Sequence, residues 1–292
     1  MYQENETSLL DSSLKSAYKS MLKPCNSRVL YDCKVVNCGD YIQLYFFDKI
    51  KSKSSDDAKE KTFNIKSLDT DNLYKVPSNE PKAILLSNAI RSYLACQRIA
   101  KTNRNSWESF ITLTFEENIT DINKANKLFH SWVTNIRKLK PDFKYLAVPE
   151  FQKRGAVHYH ILSNLGLTDK DIILEQQIKK GKAVNCDTLY DVKFWKKGFV
   201  RVDFIKGDYK KIYGYICKYM TKDIDNKLFG KKRYFFSQNL KKPTIEFLNL
   251  SNNRDFEYFK SLMKDKNLEY QSTYEDIYTK TTIEFKELLK GE

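Results

Sequence analysis

The chain predicts an α+β fold, a central antiparallel β-sheet with helices packed on one face of it and additions at both ends. Between residues 110 and 222 the hydrophobic patterning runs in the order β, α, β, β, α, β, α, which favours such a sheet. The hydrophobic fraction is 41% and the aromatic fraction 14% over 292 residues, enough for a buried core. Turn signals such as "NCGD" and "QKRG" separate strand-like runs.

Taken in order, residues 1–104 read as an N-terminal extension. In it, "RVLYDCKVVNCGDYIQLYFFDK" places two β-rich runs around "NCGD", a hairpin, and "KSKSSDDAKEK" (51–61) reads as a solvated loop. Leu86, Ala89, Ile90 and Tyr93 then recur at helical spacing over 82–102, with Arg91, Arg98 and Lys101 outside that set as a basic outer face. Residues 105–245 form the central domain. "FITLTF" (110–115) is a strand, and Leu128, Phe129, Trp132, Val133 and Ile136 mark an amphipathic helix over 123–139. "KYLAVPEF" and "AVHYHILSN" are two strands joined by "QKRG". A polar helix is expected over 169–180, then the strand "GFVRVDFI", then a helix over 208–222 with Asp208 as N-cap and Lys222 at the C-terminal dipole end. Residues 246–292 read as an acidic helical segment.

Charge points to a polyanion. Fifty-one Lys and Arg against thirty-seven Asp and Glu give a net +14. The excess is concentrated: residues 206–242 hold eleven Lys and Arg against three Asp, whereas 243–292 hold seven against ten Asp and Glu. Candidate DNA contacts are therefore Lys153, Arg154, Lys210, Lys211, Lys222, Lys231, Lys232, Arg233, Lys241 and Lys242. No window approaches a membrane span and "MYQENETSLL" lacks the regions of a secretory signal, so the expected location is the cytoplasm. The six cysteines (25, 33, 38, 96, 186, 217) form no Cys-x-x-Cys pair, which argues for reduced packing thiols over a thiolate zinc site.

Only three histidines occur in the chain, and two, His158 and His160, lie one residue apart behind Glu150. If Phe151 pairs with Val157 across a turn tipped by Lys153, Arg154 and Gly155, with Gly155 in the left-handed region, Glu150 falls opposite His158. His160 then shares that face, and three ligand side chains converge on one patch of sheet. Two imidazoles and a carboxylate suit a divalent ion with open positions, Mn²⁺, Mg²⁺ or Zn²⁺. The third histidine, His130, reads as an ordinary, partly exposed helix residue.

In "IYGYICKYMTK", Tyr215 and Tyr219 stand four apart on one helix face with Lys218 beside them. Ile212, Tyr215, Ile216 and Tyr219 also form a regular core stripe, so packing is the competing reading. A phenol of ordinary pKa is a poor nucleophile unless its anion is stabilised or its target made electrophilic. A metal on the sheet and Lys218 on the helix could supply those two needs.

"FITLTF", "EFQKRGAVHYH" and "YGYICKYMTK", in that order, resemble the three motifs of the HUH endonucleases, specifically the rolling-circle replication initiators (Rep proteins) of plasmids and bacteriophages. The resemblance extends over residues 108–245, including "YFFSQNLKKP". It implies a sheet of about five antiparallel strands with the histidine pair on a central strand and the nucleophilic tyrosine on a facing helix. It also implies a site-specific single-strand endonuclease that nicks origin DNA, keeps a 5′-phosphotyrosine link and leaves a 3′-hydroxyl primer. Carried over, His158, His160 and Glu150 are ligands of Mn²⁺ or Mg²⁺, Tyr215 the first nucleophile, Lys218 its assisting lysine and Tyr219 a second tyrosine. The implied partners are origin single-stranded DNA and, in a bacterial host cell, its DNA polymerase and helicase. No Gly-x-x-x-x-Gly-Lys-Ser/Thr motif is present, so no ATP-driven helicase is expected in this sequence. Two other readings stay open: a transposase or relaxase of the same chemistry, and a non-catalytic basic nucleic-acid binder.

Overall fold

The structure, a computed structural model, describes residues 28–54, 81–176, 189–207, 209–222, 231–276 and 279–291. Within these, the side chains of residues 54, 81–88, 209–211, 219, 221 and 222 lie outside the description. In chain order the elements are β1 (Arg28–Cys38), β2 (Tyr41–Ser54), α1 (Pro81–Thr102), β3 (Ser109–Thr114), α2 (Ile122–Leu139), β4 (Tyr145–Phe151), β5 (Val157–Ser163), β6 (Ile173–Gln176), β7 (Leu189–Val192) and β8 (Val200–Phe204). They continue with α3 (Tyr209–Lys222), β9 (Phe235–Phe236), β10 (Thr244–Leu248), α4 (Asn253–Met263), β11 (Lys266–Asp276) and β12 (Thr281–Lys290).

The fold is α+β, and its pairings are antiparallel. The central sheet has five strands in the order β8-β3-β5-β4-β9, which puts β5 and its two histidines in the middle. Its two faces are covered by different helices, so the expectation of helices on one face is corrected. On one side, the odd-numbered residues Val157, Tyr159 and Ile161 of β5 meet Phe129, Trp132, Val133 and Ile136 of α2, all buried. Phe129 stacks on Tyr159 at 4.5 Å between ring centroids. Burying each such side chain contributes about 1.5–3 kcal/mol, which fixes the face that β5 turns to α2. Asp121 starts α2 by accepting a hydrogen bond from the Asn123 amide, 2.8 Å.

On the other side, Phe110, Leu146, Val148 and Leu162 of the sheet pack against Tyr213, Ile216, Cys217 and Met220 of α3 and against Cys96, Ile99 and Ala100 of α1. Behind α1 and α3 stands a second five-stranded sheet, order β10-β1-β2-β12-β11. It is built from both ends of the chain, with β12 pairing β2. The N-terminal hairpin turns at Gly39, φ +78°, as the "NCGD" signal predicts, although β2 runs on to Ser54, into the segment expected to be a loop. The remainder of that expected loop lies outside the described residues. The C-terminal segment expected to be helical instead contains the two long strands β11 and β12 beside the single helix α4. The period-two alternation of Ile283 and Phe285 with Glu284 and Lys286 explains why β12 is a strand with one buried side.

Two further expectations change. The polar helix expected over 169–180 is a strand, β6, paired with β7 in a two-stranded ribbon; residues beyond Gln176 lie outside the description. The basic outer face of α1 is also not an outer face. Arg98 is fully buried and Lys101 nearly so. Arg98 Nε donates to Gln43 Oε1 (2.6 Å) and its Nη2 to Tyr45 Oη (2.6 Å), while Lys101 Nζ donates to both carboxylate oxygens of Glu287 (2.6 Å each). Burying a cation is expensive unless it is paired and hydrogen-bonded, and this seam supplies both. The described cysteines 33, 38, 96 and 217 are free and buried, as packing thiols should be, while 25 and 186 lie outside the description.

The seam yields a test. Glu287→Ala leaves Lys101 buried without its carboxylate and should lower unfolding stability by about 3–5 kcal/mol in a urea titration. A loss below about 1 kcal/mol would mean that the seam does not hold α1 to the terminal sheet.

Candidate active site

The β4–β5 hairpin has the register that the sequence predicts. Glu150 pairs with His158 and Phe151 with Val157. Gly155 sits at φ +88° and its amide donates to the Gln152 carbonyl at 2.7 Å, while the Gln152 amide donates to the Ala156 carbonyl at 2.8 Å. A side chain at 155 would strain this turn, so the glycine sets the register and the register sets the face. His158 and His160 lie on the face opposite α2, in line with Glu150 and Val148 on one neighbour strand and with Thr114 and Thr112 on the other.

The two threonines were not singled out in the sequence. Thr112 Oγ1 lies 3.3 Å from His160 Nδ1 and Thr114 Oγ1 3.4 Å from His158 Nδ1. Hydroxyl contacts to both Nδ1 atoms orient the rings and leave the Nε2 atoms facing outward from the strand. The signal was present: "TLT" in β3 has the same spacing as "HYH" in β5, so the antiparallel register matches them one to one.

At Nε2 the two histidines differ. His160 Nε2 is 2.7 Å from Glu150 Oε2, a hydrogen-bonded pair whose side chains are 7% and 14% exposed. His158 Nε2 is buried and has no hydrogen-bond partner among the described residues. Burial, then the neighbouring His160, push the His158 pKa down to about 4; Glu150 pulls the other way and Arg154 adds to the lowering. The ring is therefore neutral near pH 7 and keeps a lone pair for a cation. Among the described residues no three His, Cys, Asp or Glu side chains already surround a common point. The expected convergence of Glu150, His158 and His160 is thus a shared face, with Glu150 turned to His160. A buried imidazole nitrogen lacking a partner, beside a carboxylate and a second imidazole, is a donor set that fits a divalent cation.

Tyr215 reaches the same place from α3. Its ring lies edge-on to Phe110 at 5.0 Å, and the Phe110 ring lies 5.9 Å from that of His160. Phe110 is thus a common neighbour of the tyrosine and the imidazole. The packing stripe of α3 is Tyr213, Ile216, Cys217 and Met220, with Tyr213 edge-on to Tyr41 at 6.0 Å. Tyr215 is 47% exposed and lies outside that stripe, against the competing core reading, and Lys218 is exposed as well. The side chains of Tyr219, Lys210, Lys211 and Lys222 lie outside the description, as does Asp208, the expected N-cap.

The expected DNA contacts separate into groups. Lys153 and Arg154 occupy the hairpin tip, where Arg154 Nη2 donates to the Phe115 carbonyl (3.0 Å) beside the end of β3. Lys241 and Lys242 are exposed near the end of α1, where Asn103 brackets the Lys241 backbone. Lys231 donates to Asn123 (3.2 Å) and Lys232 lies near His130, so both belong to the α2 side of the sheet. Arg233 is 6% exposed, which removes it from the surface cations. His130 is exposed on α2, edge-on to Phe235 at 5.0 Å, as expected for an ordinary helix residue. No described helix is long and apolar enough to cross a membrane.

Residues 108–224 match a family model of replication-associated proteins, the ORF2 type. That segment runs from the start of β3 through α3 and so contains Glu150, His158, His160, Tyr215, Lys218 and Tyr219. The chain is also similar to the Phasyl DNA replicon protein arp of Escherichia coli, 30% identical over 131 residues, which is 40% of this chain and 44% of that protein. The chain therefore aligns with less than half the length of that curated relative. No solved structure matches the chain. The two similarities support a role in replication initiation.

The two faces of α3 can be told apart by stability. Tyr213→Ala, which empties a buried ring site, should cost about 3–5 kcal/mol, whereas Tyr215→Phe should cost under about 1 kcal/mol, both by denaturant unfolding. Equal losses would place Tyr215 in the packed core.

Proposed function

We propose that the protein is a rolling-circle replication initiator of the HUH type, a site-specific endonuclease that nicks single-stranded origin DNA by transesterification onto Tyr215. The observation that carries this reading is Phe110, packed at 5.0 Å from the Tyr215 ring and 5.9 Å from the His160 ring, so the phenol borders the imidazole face. The similarity of residues 108–224 to a replication-associated family supports it, and so does the net +14 charge.

The phenol oxygen of Tyr215 attacks the scissile phosphorus and gives up its proton. The P–O bond to Tyr215 forms as the bond to the 3′ oxygen breaks, and the 3′ oxygen leaves as a hydroxyl after gaining a proton. One phosphodiester replaces another, so no ATP is consumed, and the 5′ end stays on the protein until a 3′-hydroxyl reverses the exchange. Lys218, one turn along the helix, stabilises the phenolate and the charge developing on the phosphate. His158, His160 and Glu150 would hold Mn²⁺ or Mg²⁺. Such an ion, when bound, polarises a phosphate oxygen and makes the phosphorus more electrophilic. Thr112 and Thr114 keep the two rings oriented for it. Tyr219, one turn beyond Tyr215, is the candidate for a second exchange. The freed 3′-hydroxyl would be extended by a host DNA polymerase, with a host helicase opening the duplex, in the cytoplasm of a bacterium.

Incubation of the full chain with 5′-unblocked, internally labelled single-stranded origin DNA and Mn²⁺ should give an adduct that survives denaturing electrophoresis. Tyr215→Phe should lose most of it. The His158→Ala, His160→Ala double variant should lose cleavage while retaining much of the salt-sensitive binding, since lysines and arginines supply most non-specific affinity. An undiminished adduct in Tyr215→Phe moves the nucleophile elsewhere, and binding without any adduct leaves a non-catalytic nucleic-acid protein.

The threonines give a second test. Thr112→Val and Thr114→Val should each weaken Mn²⁺ binding about 10- to 100-fold in a calorimetric titration without unfolding the protein. Unaltered affinity would show that the hydroxyls do not orient the ligands.

A further inference from the structure

The loop between β7 and β8, "KFWKKGF" (193–199), combines features that the proposed chemistry does not use. Phe199 is 71% exposed, the most exposed large apolar side chain among the described residues. Lys196 and Lys197 beside it are exposed, and Lys193 lies over the Phe194 ring at 5.6 Å. An exposed phenyl ring gives the fold almost nothing, yet this one is held firmly in place.

Three features hold it. The Thr114 amide donates to the Phe199 carbonyl and the Glu116 amide to the Lys197 carbonyl, both at 2.8 Å, so the loop is stitched to the end of β3. Trp195 is nearly buried; its Nε1 donates to the Thr114 carbonyl (3.2 Å) and its ring lies 5.0 Å from Phe115. The backbone is also strained to fit. Phe194 has φ +71° and Gly198 φ +150°, and a Cβ at 198 would run into the Thr114 carbonyl oxygen and the Glu116 amide. Strain of this kind persists only where the surroundings over-determine it, and it gathers at functional sites.

The loop also presents Phe199 to a particular face. β8 pairs with β3 so that Val200 faces Leu113 and Arg201 faces Thr112. The alternation that sends Val200, Val202 and Phe204 to the α2 core leaves Phe199 and Arg201 on the histidine face. Phe199, Thr114, His158 and Glu150 therefore form one row across four strands, with Phe199 two strand spacings, roughly 10 Å, from His158. Cations frame this end of the sheet: Lys196, Lys197 and Arg154, with Arg201 paired to Asp203 at 3.0 Å. The adjacent carboxylates are Glu116 and Glu117, the latter 4.0 Å from Lys124.

We propose that Phe199 is a stacking platform for one base of the single-stranded DNA whose backbone crosses the histidine face, and that Lys196 and Lys197 take the phosphates beside that base. A flat, rigid, exposed ring next to ammonium groups is what an unpaired base on a charged backbone requires, and it accepts any base because each has a π-face. The proposal rests on reading this face as the single-strand site and adds the residue that positions a nucleotide beside the cleaved phosphate.

The test uses the full chain with Tyr215→Phe in EDTA, so that no cleavage intervenes. Fluorescence anisotropy would follow binding of a twelve-nucleotide oligothymidylate, an abasic sugar-phosphate chain of equal length, and oligouridylate. Phe199→Ala should weaken oligothymidylate binding roughly five- to a hundredfold, the range of one base–aromatic stack, and leave the abasic chain within about twofold. Phe199→Trp should restore binding, with its added indole emission quenched by oligothymidylate. Equal weakening on both DNA chains, or no change on either, overturns the platform, and a loss confined to oligouridylate overturns the DNA assignment. The covalent-adduct assay on Phe199→Ala with Tyr215 intact keeps the two readings apart. If no adduct forms even with Phe199 present, the nuclease falls while a stacking result stands. Normal adduct with unchanged oligothymidylate binding removes the platform alone.

Discussion

The candidate site depends on one constraint, the antiparallel register of β3, β5 and β4. Side chains on a strand alternate faces, so a slip of one residue would turn His158 and His160 into the α2 core and bring Tyr159 out to solvent. Two independent features forbid that slip. The left-handed Gly155 fixes the hairpin, and Val157, Tyr159 and Ile161 are buried against Phe129 and its neighbours on α2. The apolar half of β5 thus holds the imidazole half in place. Through the same register Thr112, Thr114 and Glu150 arrive opposite the histidines without any loop having to position them. Sites built on paired strands are held more tightly than sites on loops.

The tyrosine side of the site has a different support. α3 is clamped by Tyr213, Ile216, Cys217 and Met220 between the central sheet and a second sheet made by the two ends of the chain. That second sheet is itself tied to α1 by Arg98, Lys101, Gln43, Tyr45 and Glu287. The terminal additions therefore serve as the back wall against which the helix carrying Tyr215 is packed. Segments far from the histidines in sequence set how closely the phenol approaches them.

Much of the central domain was legible because its determinants are local. The turn residues "KRG", the alternation in β5 and the three/four spacing of α2 each specify their element within a dozen positions. The histidine pair and the tyrosine helix were legible for the same reason, together with their order along the chain. What could not be read depends on distant partners. The burial of Arg98 and Lys101 follows from a carboxylate 186 residues after Lys101, and nothing beside the helix announces it. The β character of the C-terminal segment was partly visible in the alternation of β12, but β11 is exposed along most of its length and carries no clear pattern. The threonines opposite the histidines, and Phe199 beside them, emerge only when strand pairing converts sequence spacing into a row of neighbours.

The central claim is that the paired imidazoles and the Tyr215 phenol share one cation-holding face. Anomalous X-ray scattering from crystals of the full chain grown with Mn²⁺ addresses it most directly. The account predicts a manganese peak contacting His158 Nε2, His160 Nε2 and a Glu150 oxygen, with the Tyr215 hydroxyl on the same side of the sheet. A peak elsewhere, no peak at saturating Mn²⁺, or a Tyr215 ring turned away from Phe110 would contradict it.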